Sequence, residues 1–153
     1  FAHDKMVKLQ RAGKVKRAYE AFVEGVLKEK EGTINAPIAR SSDSVITRCV
    51  REDGKPARTH YVVKNEFKSF SHVEIELETG RTHQIRVHFS HLGHPLLGDD
   101  LYGGNRDFIC RQALHCFRLT FVHPFSEATL TFVQPLPPDM KAVIDRMNET
   151  SQE

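Results

Sequence analysis

The polar side chains most capable of chemistry in this chain are gathered in one stretch, from Thr79 to Gly103. A strand-like run precedes them and a helix-like run follows, so they stand at a junction between two elements. The junction holds a glycine that favours a tight turn, two guanidinium groups and three other hydrogen-bonding side chains: Gly80, Arg81, Thr82, His83, Gln84 and Arg86. Because the free N–H groups of a helix N-terminus favour anions such as phosphate, this pattern indicates recognition of an anionic ligand.

Arg86 lies one turn into the expected helix, between the apolar residues Ile85 and Phe89. A guanidinium in such surroundings is costly unless a carboxylate pairs with it. Two interpretations stay open: Arg86 orients a catalytic acid and touches nucleic acid, or it forms a salt bridge that holds the helix to the sheet. Asp99 and Asp100 are the obvious carboxylate pair, but their glycine-rich surroundings favour turn residues over an acid/base couple.

Tyr19 is a further candidate, and it lies in a strand-like segment rich in aromatic and β-branched residues. A tyrosine on a strand is commonly a core residue with its hydroxyl at the rim. Alternatively, its ring stacks on a base and its hydroxyl takes part in proton transfer. The residue type alone does not decide between these two roles.

Four histidines raise the question of a metal site: His83, His88, His91 and His94. Gly93 is expected to end the helix before the last of them, and no cysteine or carboxylate completes a tetrahedral shell at the usual spacing. We therefore expect partly buried or capping histidines and no metal, with a metal-dependent hydrolase as a remote alternative. The chain also lacks the GxSxG, P-loop and GxGxxG motifs.

Composition and charge are those of an ordinary globular domain, with 39% hydrophobic and 27% charged residues in 153. The formal net charge of +2 is too small to identify a nucleic-acid partner. The segment from Val7 to Arg17 has five cations and no anion, which suits either phosphate contacts or a solvated surface. Three cysteines without a Cys-x-x-Cys pair or a visible secretion signal predict reduced thiols and a cytoplasmic location.

Apolar periodicity predicts an α+β fold with a mixed, largely antiparallel sheet and a few flanking helices. Strands are predicted at Tyr19–Val26, Val45–Val50, Ala57–Phe67, Ser71–Leu77, Leu114–Phe121 and Ala128–Gln134, the last two as a hairpin. Helices are predicted over the first dozen residues, over Thr82–Leu92 with its N-cap near Thr82, and around Met140–Met147. The glycines and prolines of Gly32–Arg40, and the segment His94–Arg106, predict loops.

Five segments in register resemble the RluA-type RNA pseudouridine synthases: Arg17–Gly25, Gly32–Arg40, Thr79–Gly103, Ala113–Pro124 and Pro135–Met140. The resemblance spans nearly the whole chain and is to the C-terminal part of that family's catalytic domain. It implies the pseudouridine synthase fold, incomplete at the N-terminus. It also implies isomerisation of uridine in ribosomal or transfer RNA, with the uracil flipped from the RNA into a cleft.

Site roles follow from the resemblance alone. Tyr19 would stack on the uracil and move a proton, Arg86 would pair with the family's catalytic aspartate, and Ile85 would pack in the pocket. The polar shell facing RNA would be formed by Arg81, Thr82, His83 and Gln84. No cofactor is implied, because the isomerisation is redox-neutral and needs no metal.

One departure from the family is serious, because its nucleophilic aspartate stands in a His-Arg-Leu-Asp segment and these 153 residues contain none. Only eighteen residues precede Tyr19, so the aspartate would lie just before Phe1. We therefore expect residues 1–153 to be part of a catalytic domain, inactive alone, with Arg86 lacking its partner. The alternative is a non-catalytic RNA-binding module on the same fold.

Overall fold

The computed structural model describes residues 15–123 and 125–151, with side chains as far as residue 148, so the helix predicted over the first dozen residues lies outside it. A six-stranded sheet contains β1 (Lys16–Glu24), β2 (Glu31–Asn35), β5 (Arg58–Glu66), β6 (Phe70–Leu77), β7 (Leu114–Val122) and β8 (Thr129–Val133). A two-stranded sheet contains β3 (Ile38–Arg40) and β4 (Arg48–Val50). The helices are α1 (Gln84–His91), a 3-10 turn (Asp100–Tyr102) and α2 (Pro138–Ser151).

The large sheet has the order β2-β5-β6-β1-β7-β8, and each of its described pairings is antiparallel. The predicted α+β fold with a largely antiparallel sheet is therefore confirmed. The hairpin of β7 and β8 is also confirmed, as are the central strands β5 and β6. Within the described residues, no helix is both long enough and apolar enough to cross a membrane.

The loop predicted over Gly32–Arg40 is wrong, because this segment supplies strands β2 and β3. Gly32 pairs with Tyr61 across the strands, and a Cβ at this glycine would come within 3.2 Å of the tyrosine hydroxyl. The glycine therefore makes room for a neighbouring ring rather than marking a turn. The strand predicted over Val45–Val50 is shorter than expected, and Val45 is 78% exposed.

The sheet separates two apolar clusters, which define its two faces. On the α1 face, Ala21, Val23, Val73 and Ile75 pack with Phe89 of α1. On the α2 face, the cluster joins the sheet and α2 through Phe22, Phe70, Leu97, Met140 and Val143. Because successive side chains of a strand point to opposite faces, β1 directs Tyr19 to the α1 face and Phe22 to the α2 face.

Candidate active site

The junction between β6 and α1 is shaped by His83, which has φ 56° and ψ 23° and is the N-cap of α1 without a side-chain capping bond. The N-cap predicted near Thr82 was therefore one residue too early. The tight turn predicted at Gly80 was also wrong, because its φ is not positive and nothing lies within 4 Å of a Cβ placed there. The residue with the left-handed backbone conformation, which L-amino acids rarely adopt, is therefore His83 and not Gly80.

Gln84 fastens the junction to the sheet with all of its hydrogen-bonding capacity. Its Oε1 accepts from the Thr79 hydroxyl at 2.7 Å and from the Arg81 N–H at 2.9 Å. Its Nε2 donates to the Arg58 carbonyl at 2.9 Å and to Thr59 Oγ1 at 3.0 Å. Since an amide has two donors and two acceptor lone pairs, and the residue is 2% exposed, the side chain of Gln84 is fully occupied in holding the junction, and the RNA contact implied by the resemblance stays a prediction.

His88 continues this network into the core. Its Nδ1 lies 2.7 Å from Thr59 Oγ1, and its Nε2 lies 2.9 Å from the Ala36 carbonyl. A carbonyl can only accept, so Nε2 carries a proton. Burial is the main cause that lowers the pKa of His88 and so favours the neutral imidazole, in which the threonine hydroxyl donates to Nδ1.

Arg86 has a carboxylate partner within the chain, contrary to expectation. Its Nε and Nη2 each donate to a different oxygen of Asp99, both at 2.9 Å. The side chain of Asp99 is 1% exposed and that of Arg86 is 14% exposed, so this is a largely buried bidentate pair. It holds α1 to the loop before the 3-10 turn, not to the sheet, and it raises the pKa of Arg86 further.

Asp99 lies in a turn, as the sequence predicted, because its N–H donates to the Leu96 carbonyl and its carbonyl accepts from the Tyr102 N–H, both at 3.2 Å. The prediction that its side chain bonds nearby backbone was wrong, because that carboxylate pairs with Arg86. Its burial follows from tight loop packing: a Cβ at Gly98 would lie 2.0 Å from the Arg111 carbonyl oxygen, and one at Gly104 would lie 2.0 Å from that of Leu96. The signal in the sequence that could have identified Asp99 was Arg86, because a buried arginine needs a carboxylate partner.

Tyr102 is a second residue that the sequence analysis missed. Its hydroxyl accepts a hydrogen bond from the Arg48 N–H at 3.0 Å and lies 2.6 Å from His83 Nδ1. Its ring lies beneath the Arg86 guanidinium, 5.0 Å from centroid to Cζ. The tyrosine therefore links β4, the junction and α1. No sequence spacing pointed to this hydroxyl.

The pKa of His83 is lowered, first by burial and then by the nearby charges of Arg86 and Arg48, which favours the neutral ring. Because the Tyr102 hydroxyl already accepts from the Arg48 N–H, we assign its own proton to the bond with His83 Nδ1. This assignment leaves the ring proton on Nε2, from which His83 can donate one hydrogen bond to a ligand.

A cleft of about 1240 Å³ brings most of the predicted site residues together. Its lining includes six of the seven: Tyr19, Arg81, His83, Gln84, Ile85 and Arg86. Thr82 instead lines a neighbouring cavity. Ile85 is 4% exposed and belongs to the apolar cluster against which the Tyr19 ring packs. The cleft thus combines an apolar floor with a cationic, hydrogen-bonding wall.

Tyr19 stands where the pairing of β1 with β7 changes register, between Ala18 and Tyr19. Such bulges commonly re-aim a side chain near a site. Burial is the main cause that raises the pKa of Tyr19, the nearby Cys116 adds to it, and Arg17 opposes it. The phenol therefore keeps its proton at neutral pH.

The histidines that suggested a metal are used separately. His94, for example, directs Nδ1 to the Glu24 carbonyl at 2.7 Å. In the part of the chain that the structure describes, no three His, Cys, Asp or Glu side chains come together in a way that could hold a metal ion. The expected absence of a metal stays a prediction.

Comparison with protein families identifies the family of this chain. The family model described as RNA pseudouridylate synthase matches residues 1–91, more than half of the chain. The chain belongs to the RNA pseudouridine synthase family. The resemblance to the RluA type is confirmed by relatives named ribosomal large subunit pseudouridine synthase D.

Individual pseudouridine synthases support the assignment along nearly the whole chain. The RNA pseudouridine synthase YjbO of Bacillus subtilis (strain 168) is 50% identical over 148 residues, 97% of this chain and 52% of that protein. The ribosomal large subunit pseudouridine synthase D of Buchnera aphidicola (subsp. Schizaphis graminum, strain Sg) is 40% identical over 159 residues, covering 94% of this chain and 50% of that protein. The chain spans about half the length of these relatives.

Solved structures agree with this family fold. The structure of human RNA Pseudouridylate Synthase Domain Containing 1 has a TM-score of 0.79 and 29% sequence identity, and the match covers 97% of this chain and 70% of that one. The cleft described above is therefore a cleft of a pseudouridine synthase domain. Its wall presents hydrogen-bond donors from Arg81, His83 and Arg86.

Proposed function

We propose that the cleft receives a uridine flipped out of ribosomal or transfer RNA and that the whole protein isomerises it to pseudouridine. The observation that carries this proposal is the meeting of Tyr19, Ile85 and Arg86 in one cleft. Flipping costs a few kcal/mol of stacking, which contacts in the pocket offset. An aromatic ring, an aliphatic side chain and a guanidinium provide a stacking surface, an apolar floor and a charge.

The reaction that we propose exchanges one bond for another. The bond from C1′ to N1 of the uracil breaks, the ring rotates, and C5 bonds to C1′; C5 then loses its proton and N1 gains one. Electrons and atoms balance without an oxidant, a reductant or a metal. Because its phenol is protonated at neutral pH, Tyr19 can stack on the uracil and donate a proton during this exchange.

We assign Arg86 the binding of the catalytic carboxylate that the family supplies from a His-Arg-Leu-Asp segment. Asp99 occupies Nε and Nη2, so Nη1 is the nitrogen directed to that carboxylate or to RNA. Asp99 is then a positioning residue that fixes the plane of the guanidinium. We propose that the 153-residue polypeptide by itself does not isomerise uridine, because that segment is absent from it. The free thiols suit the cytoplasmic location that we also propose.

Release of tritium from RNA labelled at C5 of uridine tests this function, because C5 loses its hydrogen in the isomerisation. We expect no release from the 153-residue chain and release from a chimera in which the N-terminal half of YjbO precedes it. Tyr19→Phe and Arg86→Gln in the chimera are expected to lower the rate by at least about a hundredfold. Tyr61→Phe, a strand tyrosine that does not line the cleft, is the matched control.

The opposite results have equally clear meanings. Release by the chain alone would refute the assigned inactivity. A chimera that binds RNA but releases no tritium would favour the non-catalytic RNA-binding module. Equal rates for Tyr19→Phe and Tyr61→Phe would remove the tyrosine from the mechanism.

A further inference from the structure

A second cavity, of about 510 Å³, lies beside the cleft between the β3–β4 sheet and the junction. Four cationic side chains line it: Arg40, Arg48, Lys55 and Arg81. We call this cavity the cationic pocket. Arg40, Arg48 and Lys55 have no assigned part in the proposed reaction.

The positive charge of the cationic pocket is not neutralised from within. Its lining contains one carboxylate, Asp53, and Arg51 pairs with that carboxylate at 3.0 Å. Among the described residues, none of the four lining cations forms an ion pair. Arg81 donates only from Nε, to the Pro56 carbonyl at 2.8 Å, which leaves its two other nitrogens for a ligand. A concave site of this kind attracts an anion with several oxygens, and arginine matches phosphate geometry.

The backbone around the cationic pocket is held firmly. Lys55 and Ile38 exchange two main-chain hydrogen bonds, of 2.8 and 2.9 Å. A Cβ at Gly54 would lie 2.6 to 2.8 Å from the backbone of Ile38, so only glycine allows this close approach. On the other side, the Arg48 N–H is bound by the Tyr102 hydroxyl, which also contacts His83 in the cleft. The backbone that carries the cations therefore has a defined position relative to the candidate active site.

The cationic pocket is continuous with the cleft at Gly80 and Arg81, which line both cavities. Gly80 has nothing within 4 Å of its missing side chain, so the shared wall is open. We propose that the cationic pocket binds a backbone phosphate of the RNA next to the nucleotide held in the cleft. This inference rests on the proposed function and adds to it a site that sets the register of the RNA without reading its sequence.

The dependence of RNA affinity on salt tests the proposal, because each neutralised phosphate of a single strand adds about 0.7 to the slope of log K against log salt. Fluorescence anisotropy would follow a labelled RNA hairpin with uridines in its loop, bound to the 153-residue chain. We expect Arg40→Gln with Lys55→Gln to weaken binding about tenfold and to lower the slope by about 0.7. Both side chains are exposed, so the fold should persist.

A control of equal charge is provided by Lys28→Gln with Lys68→Gln. Both lysines are exposed and line neither cavity, so this pair should leave affinity and slope nearly unchanged. A second probe carries neutral methylphosphonate linkages beside the loop uridine. The unaltered chain should bind this probe more weakly than ordinary RNA. The Arg40→Gln, Lys55→Gln variant should bind the probe and ordinary RNA with equal affinity.

The outcomes separate the two proposals. If the unaltered chain binds RNA, Tyr19→Ala weakens binding, and the pocket variant matches its lysine control, the cationic pocket is refuted while the proposed function stands. The phosphate site is also refuted if the methylphosphonate probe loses as much affinity for the Arg40→Gln, Lys55→Gln variant as it does for the unaltered chain. If the unaltered chain binds no RNA even at low salt, the proposed function and this inference fail together.

Discussion

The α1 face and the α2 face of the sheet share their strands but treat polar groups in different ways. On the α2 face, rings and aliphatic side chains dominate, as in the contact of Phe22 with Phe70, whose centroids are 5.2 Å apart. On the α1 face, Gln84 and His88 are equally buried, yet each hydrogen bond they can make is made. Satisfied polar groups cost little to bury, so the α1 face can carry a site without losing its structure.

His72 is the exception on the α2 face. It is 6% exposed, and neither ring nitrogen has a hydrogen-bond partner. Glu20 comes within 3.3 Å of Nε2 and forms an ion pair with it when the ring is protonated. Burial is the main cause that lowers the pKa of His72, and Glu20 opposes it. This difference indicates that the α2 face is stabilised mainly by apolar packing, whereas hydrogen bonds on the α1 face fix the orientation of its polar side chains.

The largest expected effect is on the α2 face. Phe22→Ala should lower the free energy of unfolding by about 3–5 kcal/mol, because Phe22 is fully buried and its removal leaves a cavity. Urea unfolding measures this change. Phe132→Ala on β8, where the ring is 54% exposed, is the matched control and should cost about 1 kcal/mol or less.

Should Phe22→Ala fail to fold, Phe22→Leu preserves most of the side chain and is expected to cost about 1.5 kcal/mol. RNA affinity per folded molecule should be unchanged in either variant. A specific loss of RNA binding in folded Phe22→Leu would contradict the division of labour between the two faces.

A smaller loss of stability with a larger loss of function is expected on the α1 face. Asp99→Asn removes the charge from the pair with Arg86 and turns an amide N–H₂ toward a guanidinium that can only donate. We expect about 2 kcal/mol of lost stability, less than for a fully buried pair because Arg86 keeps some exposure. In the tritium-release assay of the chimera, the rate should fall at least about tenfold.

Asp100→Asn is the neighbouring control, since that residue is exposed and should change stability by no more than about 0.5 kcal/mol. Equal behaviour of the two asparagine variants would show that the bidentate pair does not position Arg86.

The two faces also differ in how far the sequence predicts them. Strand β6 alternates so clearly that its predicted start was wrong by a single residue, Ser71 instead of Phe70. Local periodicity sufficed there because Val73 and Ile75 pack into the cluster on the α1 face, whereas Glu74 and Glu76 on the opposite face keep contact with solvent. The β2 strand was missed because Gly32 serves a neighbour, Tyr61, that lies far away in sequence.

The candidate site was predictable in kind more than in arrangement. A buried arginine predicts a carboxylate partner. That this partner is Asp99 depends on a loop whose course is set by close backbone contacts at Gly98 and Gly104. Similarly, Arg40 and Arg81 meet at the cationic pocket only because the β3–β4 sheet folds against the junction. Neither spacing nor composition contains that information.

The smallest expected effect concerns protonation of the buried network on the α1 face. The lowered pKa of His88 means that the unfolded chain binds its proton more readily than the folded one. Stability from this residue is therefore complete above the ordinary pKa of 6.5 and is lost as the pH falls below that value, by at most about 1.4 kcal/mol per pH unit.

His88→Gln should flatten the fall of the melting temperature between about pH 7.5 and 5.5, while His115→Gln on β7 should not. The buried His72 and the cleft residue His83, whose pKa values are also lowered, would keep part of the fall in both variants. An unchanged pH profile in His88→Gln would mean that the network accepts a proton without cost, and the contrast between satisfied and unsatisfied burial would then no longer separate the two faces.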